Sequence, residues 1–307
     1  MSSPHPIHPT LKRLRHRNGL FLKDIWAHHL VDNDDAILIQ DILESLKDSL
    51  IFSKTEKERE VEEASIPTAF MNEMTTLVYK SLVTGRSFIR DLNSGQHTHA
   101  EISAYNGCLY WARSILLIFG IWLSPKKLDN NFWIIDIYPL KERKITSKFN
   151  FLQIGNKQPG HIEIWLTLKR ILNTSKNFPI DDKFIGFMND IDETSIGFKR
   201  HHLQYFNHYW IYLDDLKNDC ISTNDLSWIQ EFNEDIYAKL DLRDTSPENS
   251  IIYFYFILAR NFYFLINEIK PSLPDVFVQK IEELKSSFNF IEIFNEKNWL
   301  DIKDNAF

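Results

Sequence analysis

Glycine is scarce in this chain, at 9 of 307 residues. So few positions at ease with left-handed backbone argue against folds that depend on glycine-rich phosphate loops or many tight hairpins. Helices become the default. Cysteine is scarcer still, present only as Cys108 and Cys220. Both sit in apolar or helical contexts behind an N-terminus with no secretory signal, so reduced thiols in a cytoplasmic protein are expected, with no disulfide. The sequence contains no Walker loop, GxGxxG, HExxH, paired CxxC or GxSxG, and nucleotide hydrolysis, zincin and serine-hydrolase chemistry therefore lack their usual signatures. No cofactor and no metal ligand set is expected. One acid pattern, Asp136 followed by Glu142-Arg143-Lys144, fits a divalent-metal nuclease arrangement, but Glu-x-Lys recurs by chance in a chain this charged. An excess of positive charge is also missing. The net charge is -7 and the pI about 5.9, so any contact with RNA or DNA must be made through a local basic patch.

What the chain has in abundance is apolar and aromatic surface: 23 Phe, 11 Tyr and 8 Trp within a 44% hydrophobic composition. That is a core-forming composition and not a disordered one. Its centre is the run at 104–123, AYNGCLYWARSILLIFGIWL. The run is apolar on nearly every face, which predicts a helix buried on all sides. A membrane span of this length is disfavoured by Asn106, Arg113 and Ser114 within it, because a charge at the bilayer centre costs at least about 2.5 kcal/mol. Arg113 cannot shed its proton, so in a core it must face a carboxylate, carbonyls or a bound anion. Either a structural ion pair or a phosphate-binding arginine follows.

Taken in order, residues 1–19 hold three prolines with Lys12, Arg13, Arg15 and Arg17, and are expected as a flexible basic arm. Helices are predicted at 20–30 and 36–51, separated by a turn at Asp32-Asn33-Asp34-Asp35. The charged stretch 53–64 is expected as an exposed helix or loop, and 67–82 as a helix. A loop around Gly95 precedes the central helix. NNFWIIDIYPLKER and KFNFLQIG suggest a hairpin or short sheet near 132–156, and HIEIWLTLKRIL a helix packed through Trp165. An Asp-rich segment, 181–193, is expected to be loose. Further helices are predicted at 196–216, 225–240, 250–266 and 276–290. The predicted fold is therefore mainly α, a multi-helix bundle with a small sheet. It is organised as a single large helical domain over 20–300, with a division into halves foreseen near 124–160.

On the predicted helix 196–216, His202, Phe206, Tyr209, Leu213 and Leu216 form a core stripe. His201, Tyr205, His208, Tyr212 and Asp215 lie beside it, and this second stripe holds the candidate chemistry. The helix at 250–266, SIIYFYFILARNFYFLI, repeats the character of the central run, including an Ala-Arg pair at Ala259-Arg260.

The segments SAYNGCLYWARSILLIFGI and FKRHHLQYFNHYW resemble the helices of HEPN-like and YaaC-like bacterial proteins. The resemblance covers about a fifth of the chain. It implies an intracellular helical bundle of the kind tied to toxin, ribonuclease or antiviral-defence systems. Ribonucleases of that superfamily carry an Arg and a His with four to six residues between them on one helix; here Arg200 and His208 have seven residues between them. The Arg90 to His97 spacing fits, but it spans Asn93-Ser94-Gly95 and is expected to bend. Two functions follow. One is a non-catalytic subunit or interaction module of a multi-protein assembly of bacterial defence type. The other is a metal-independent ribonuclease in which Arg200, His201 and His208 act on RNA. Arg113, Tyr205, Asn207 and Arg260 are candidate binding residues in either case. Other protein subunits are the expected partners, a membrane is not, and whether the chain is an enzyme stays open.

Overall fold

The computed structural model describes residues 8–12, 14, 17–18, 26, 37–46, 58–125, 127, 131–137, 148–155, 160–176, 180, 182–192, 196 and 251–288. Of these, 72% are helical, and a small antiparallel sheet accompanies them, so the protein is mainly α with a short sheet. Its helices are α1 (His8–Leu11), α2 (Ile39–Ser45), α3 (Ile66–Asn93), α4 (His97–Ile118), α5 (His161–Thr174), α6 (Asp182–Asp190), α7 (Ile251–Ile269) and α8 (Asp275–Ser286). Its strands are β1 (Arg17–Asn18), β2 (Glu58–Glu62), β3 (Ile121–Leu123), β4 (Phe132–Asp136), β5 (Lys148–Gly155) and β6 (Ser175–Lys176). No helix among the described residues is long and apolar enough to cross a membrane.

The chain forms two compact units, each assembled from separated stretches. The first comprises Met1–Thr76, Ala112–Pro179 and Leu265–Ile281; the second comprises Leu77–Trp111, Ile180–Phe264 and Glu282–Phe307. Arg113 therefore belongs to the first unit and Arg260 to the second.

The first unit contains a four-stranded antiparallel sheet in the order β2-β5-β4-β3. Its register places Ile121, Asp136, Asn150 and Glu60 in one row across the strands, and Leu123, Ile134, Leu152 and Glu58 in the next. Residues directly opposite share a face. The alternate positions Trp122, Ile135, Phe151 and Arg59 occupy the other face. The strand β2 corrects the expectation for 53–64: EREVE has weak intrinsic strand preference, yet pairing with β5 supplies what local sequence does not. The sheet is thus wider than the hairpin expected near 132–156. At the N-terminal arm, Leu11 and Leu14 are buried and the Thr10 hydroxyl donates to the Gln153 carbonyl at 3.4 Å. These positions are packed where an extended segment was expected.

The central run is divided by one residue. α4 ends at Ile118 and the chain turns at Gly120, φ 73°, a left-handed cap that L side chains adopt at a cost. Gly120 N–H donates to the Leu117 carbonyl at 2.9 Å, and its own carbonyl accepts from Ile137 N–H at 3.0 Å. The last part of the run is therefore strand β3 and not the end of a helix. Trp26 is fully buried in this unit and its indole N–H donates to the Ile118 carbonyl at 3.0 Å, satisfying one of the carbonyls a helix C-terminus leaves open.

The second unit is built on aromatic rings. Trp111, fully buried, lies 5.0 Å from Phe262, 5.7 Å from Tyr263 and 6.0 Å from Tyr255 between ring centroids. Phe88 meets Tyr255 edge-on at 4.9 Å. These separations fall in the range where tilted and T-shaped pairs attract. The Tyr255 hydroxyl donates to the Ser81 carbonyl at 2.8 Å, tying α7 to α3. The Tyr255 ring also lies over Gly107: a Cβ added there would stand 2.5 Å from its Cε2. α6 corrects the loose segment expected at 181–193. Phe184 and Met188, four apart, are both buried, enough apolar surface to hold a short helix despite three flanking acids.

Candidate functional site

Most of the residues selected from sequence as chemical lie outside the described residues: Arg200, His201, Tyr205, Asn207 and His208. So do Cys220 and the Glu142-Arg143-Lys144 segment. Three others have defined surroundings. Arg113 donates through Nη2 to Glu73 Oε1 at 3.2 Å, and the two side chains are only 23% and 17% exposed. The carboxylate partner expected for an arginine in the central helix is thus Glu73 on α3. Arg260 is half-buried on α7. Arg90, in the last turn of α3, is exposed and paired with Asp91 at 3.5 Å. His97 opens the next helix beyond a turn closed by Gln96 N–H on the Asp91 carbonyl at 2.7 Å, with Gly95 at φ 72°. The Arg90 to His97 spacing therefore bridges two helices, as expected, and does not lie on one.

The buried ionisable groups belong to packing. Burial pushes the Cys108 thiol well above its usual range, which keeps it protonated and a poor nucleophile at neutral pH. Burial does the same to Tyr255, with the Trp111 indole opposing it in part. Tyr263 is also pushed far up, by burial first and by the charge of Glu282 second. Its hydroxyl has no hydrogen-bond partner among the described residues.

A pH prediction follows from Tyr263. An unfolded tyrosine titrates near 10, whereas the folded one holds its proton to higher pH. Its contribution is therefore complete below about pH 9 and is lost as pH rises, by up to about 1.4 kcal/mol per pH unit. Tyr263→Phe should change stability little at neutral pH, because no hydrogen bond is removed, and should flatten the alkaline decline. Urea titrations at about pH 8 and about pH 11 measure this. Parallel losses in wild type and variant would refute it.

One exposed surface stands out. Along α3, Leu77, Val78, Ser81, Leu82 and Phe88 are buried, while Tyr79, Val83, Arg86 and Arg90 are exposed. Those four recur at i, i+4, i+7 and i+11, one stripe of a helix. Tyr79 is 52% exposed and Val83 39%; among the described residues Leu38 on the first unit is the other large hydrophobic this open. Exposed Lys80 lies beside the stripe. The arrangement is an apolar centre bordered by cations, with the nearest acid on the helix, Asp91, engaged by Arg90. Sequence reasoning missed it because the helix was expected to end at Leu82; extending the same 3.6-residue period through Arg90 is the signal that finds it.

Among the described residues, no three His, Cys, Asp or Glu side chains converge as a metal cluster. No protein-family model, no curated protein and no solved structure matches the chain.

Proposed function

We propose that this protein is a non-catalytic helical subunit of a multi-protein assembly, of the bacterial defence type suggested by its resemblance to HEPN-like proteins, and that it binds a partner chain through the outer face of α3. The observation that carries this reading is the Tyr79-Val83 pair, two large hydrophobic side chains one turn apart and open to solvent. An apolar centre with a polar rim is the usual anatomy of a protein interface, and tyrosine is a common anchor. The cations Lys80 and Arg86 specify the partner further, as a surface with an apolar socket and an acidic border. Arg113 supports the same reading, since its ion pair with Glu73 occupies the guanidinium that a phosphate site would need.

The competing function is metal-independent RNA cleavage by Arg200, His201 and His208. Purified full-length protein, with whatever chains co-purify, is incubated with structured RNA beside His201→Ala/His208→Ala. The expected result is intact RNA in both. Cleavage by the wild type that the double variant abolishes, while its circular dichroism is unchanged, would replace the module with a ribonuclease.

A further inference from the structure

Among the described residues three large hydrophobic side chains are exposed, and they fall on two helices whose borders carry opposite charge. Tyr79 and Val83 lie on α3; the third, Leu38, is the N-cap of α2. The outward side of α2 is acidic. Leu38, Asp41 and Glu44 are exposed while Ile39, Ile42 and Leu43 are buried, and the helix, IQDILES, contains no Lys or Arg. The Asp41 carboxylate accepts from the Leu38 N–H at 3.3 Å, which holds acid and leucine side by side and leaves the charge in place. Glu44, Lys80 and Arg86 hold no ion pair among the described residues.

An exposed leucine bordered by two carboxylates thus complements an exposed Tyr-Val pair bordered by two cations. Resting on the reading of α3 as a binding face, we infer that its partner is a second copy of this chain, docked through Leu38, Asp41 and Glu44 of α2. Each face lacks the charge that the other supplies. Apolar centres this small bury little area, so the charged border sets the pairing and makes it sensitive to salt. Like faces do not serve. Two α3 faces would set cation against cation and two α2 faces acid against acid, and like charges brought together across an interface repel. The contact therefore joins two different patches, both of which every copy carries.

The test is the sedimentation mass of the full-length protein, 36.4 kDa per chain. At about 100 μM the wild type should exceed the mass of one chain, and it should return to one chain in about 0.5 M salt, where charges are screened beyond about 4 Å. Lys80→Glu/Arg86→Glu and Asp41→Asn/Glu44→Lys should each weaken association at least about tenfold; the asparagine keeps an oxygen for the Leu38 N–H. Mixed one to one, the two variants should associate again, because an unaltered α2 face then meets an unaltered α3 face. Regained association also shows that both variants fold. A wild type that stays a single chain, or a mixture that does so with circular dichroism unchanged, would overturn the inference. Benzoylphenylalanine placed at position 79 separates this failure from that of the α3 face itself. An adduct of twice the chain mass supports the pairing, an adduct of another mass keeps the α3 face and refutes the second copy, and no adduct refutes both.

Discussion

Trp111→Ala is expected to lower the stability of the second unit by about 3–5 kcal/mol, the range for truncating a large buried aromatic. Trp111 is fully buried and its ring approaches three aromatic neighbours on α7, Tyr255, Phe262 and Tyr263. Removing it opens a large void and cancels three ring pairs, each worth about 0.5–1.5 kcal/mol beyond area burial. Relaxation is limited from both sides. The Tyr255 ring lies against Gly107 and is held by its hydroxyl on Ser81, so it cannot swing into the space without giving up that bond. Trp111→Phe, which keeps a ring, should lose much less. Urea unfolding followed by near-ultraviolet circular dichroism reads the change as a shifted midpoint. A loss below about 1 kcal/mol for Trp111→Ala would mean that the aromatic cluster does not hold this unit together.

Gly120→Ala is the second large effect, and it acts in the first unit. Two independent penalties meet at this position. Its φ of 73° disfavours any side chain, and an added Cβ would stand 2.1 Å from Ile137 Cγ1 and 2.5 Å from its Cδ1. Ile137 cannot simply yield, because it is buried and its N–H is bonded to the Gly120 carbonyl. Left-handed strain contributes on the order of 1 kcal/mol and overpacking about 1–3 kcal/mol more. The two separate in a double-mutant cycle with Ile137→Ala, which removes both atoms in conflict. In that background Gly120→Ala should cost only the backbone strain, so the coupling energy should equal the packing part. Strict additivity of the two substitutions would show that the clash is absorbed elsewhere.

The same two regions show what local sequence reveals about this fold. The uninterrupted apolar runs of α4 and α7 were legible as buried helices, because a helix apolar on every face needs burial whatever its neighbour. Arg113 within one of them was legible as a residue needing a counter-charge, and Glu73 provides it. The identity of that partner was not, since it sits forty residues away on α3. The division of the central run at Gly120 was missed because apolar composition suits a buried helix and a buried strand alike; only the glycine separates them. The strand at Glu58–Glu62 was beyond local reasoning for a sharper reason. Its residues prefer other states, and its pairing partner β5 lies about ninety residues downstream, so tertiary pairing decides. The helix Asp182–Asp190 was hidden by its acids, although Phe184 and Met188 carried the spacing. Of the proposed interface, Tyr79 and Val83 fell near the end of a helix expected to stop at Leu82. The histidine stripe that drew attention in the sequence lies outside the described residues.

The central claim is that α3 presents a binding face, and photo-crosslinking from that face tests it most directly. Tyr79 is replaced by benzoylphenylalanine in the full-length chain expressed in its own host, and a control places the same group at Asp190, exposed on α6. Irradiation should yield one discrete adduct from position 79, weakened when Val83→Asp is added and absent from position 190. No adduct from position 79, or equal adducts from both positions, would contradict a partner seated on α3.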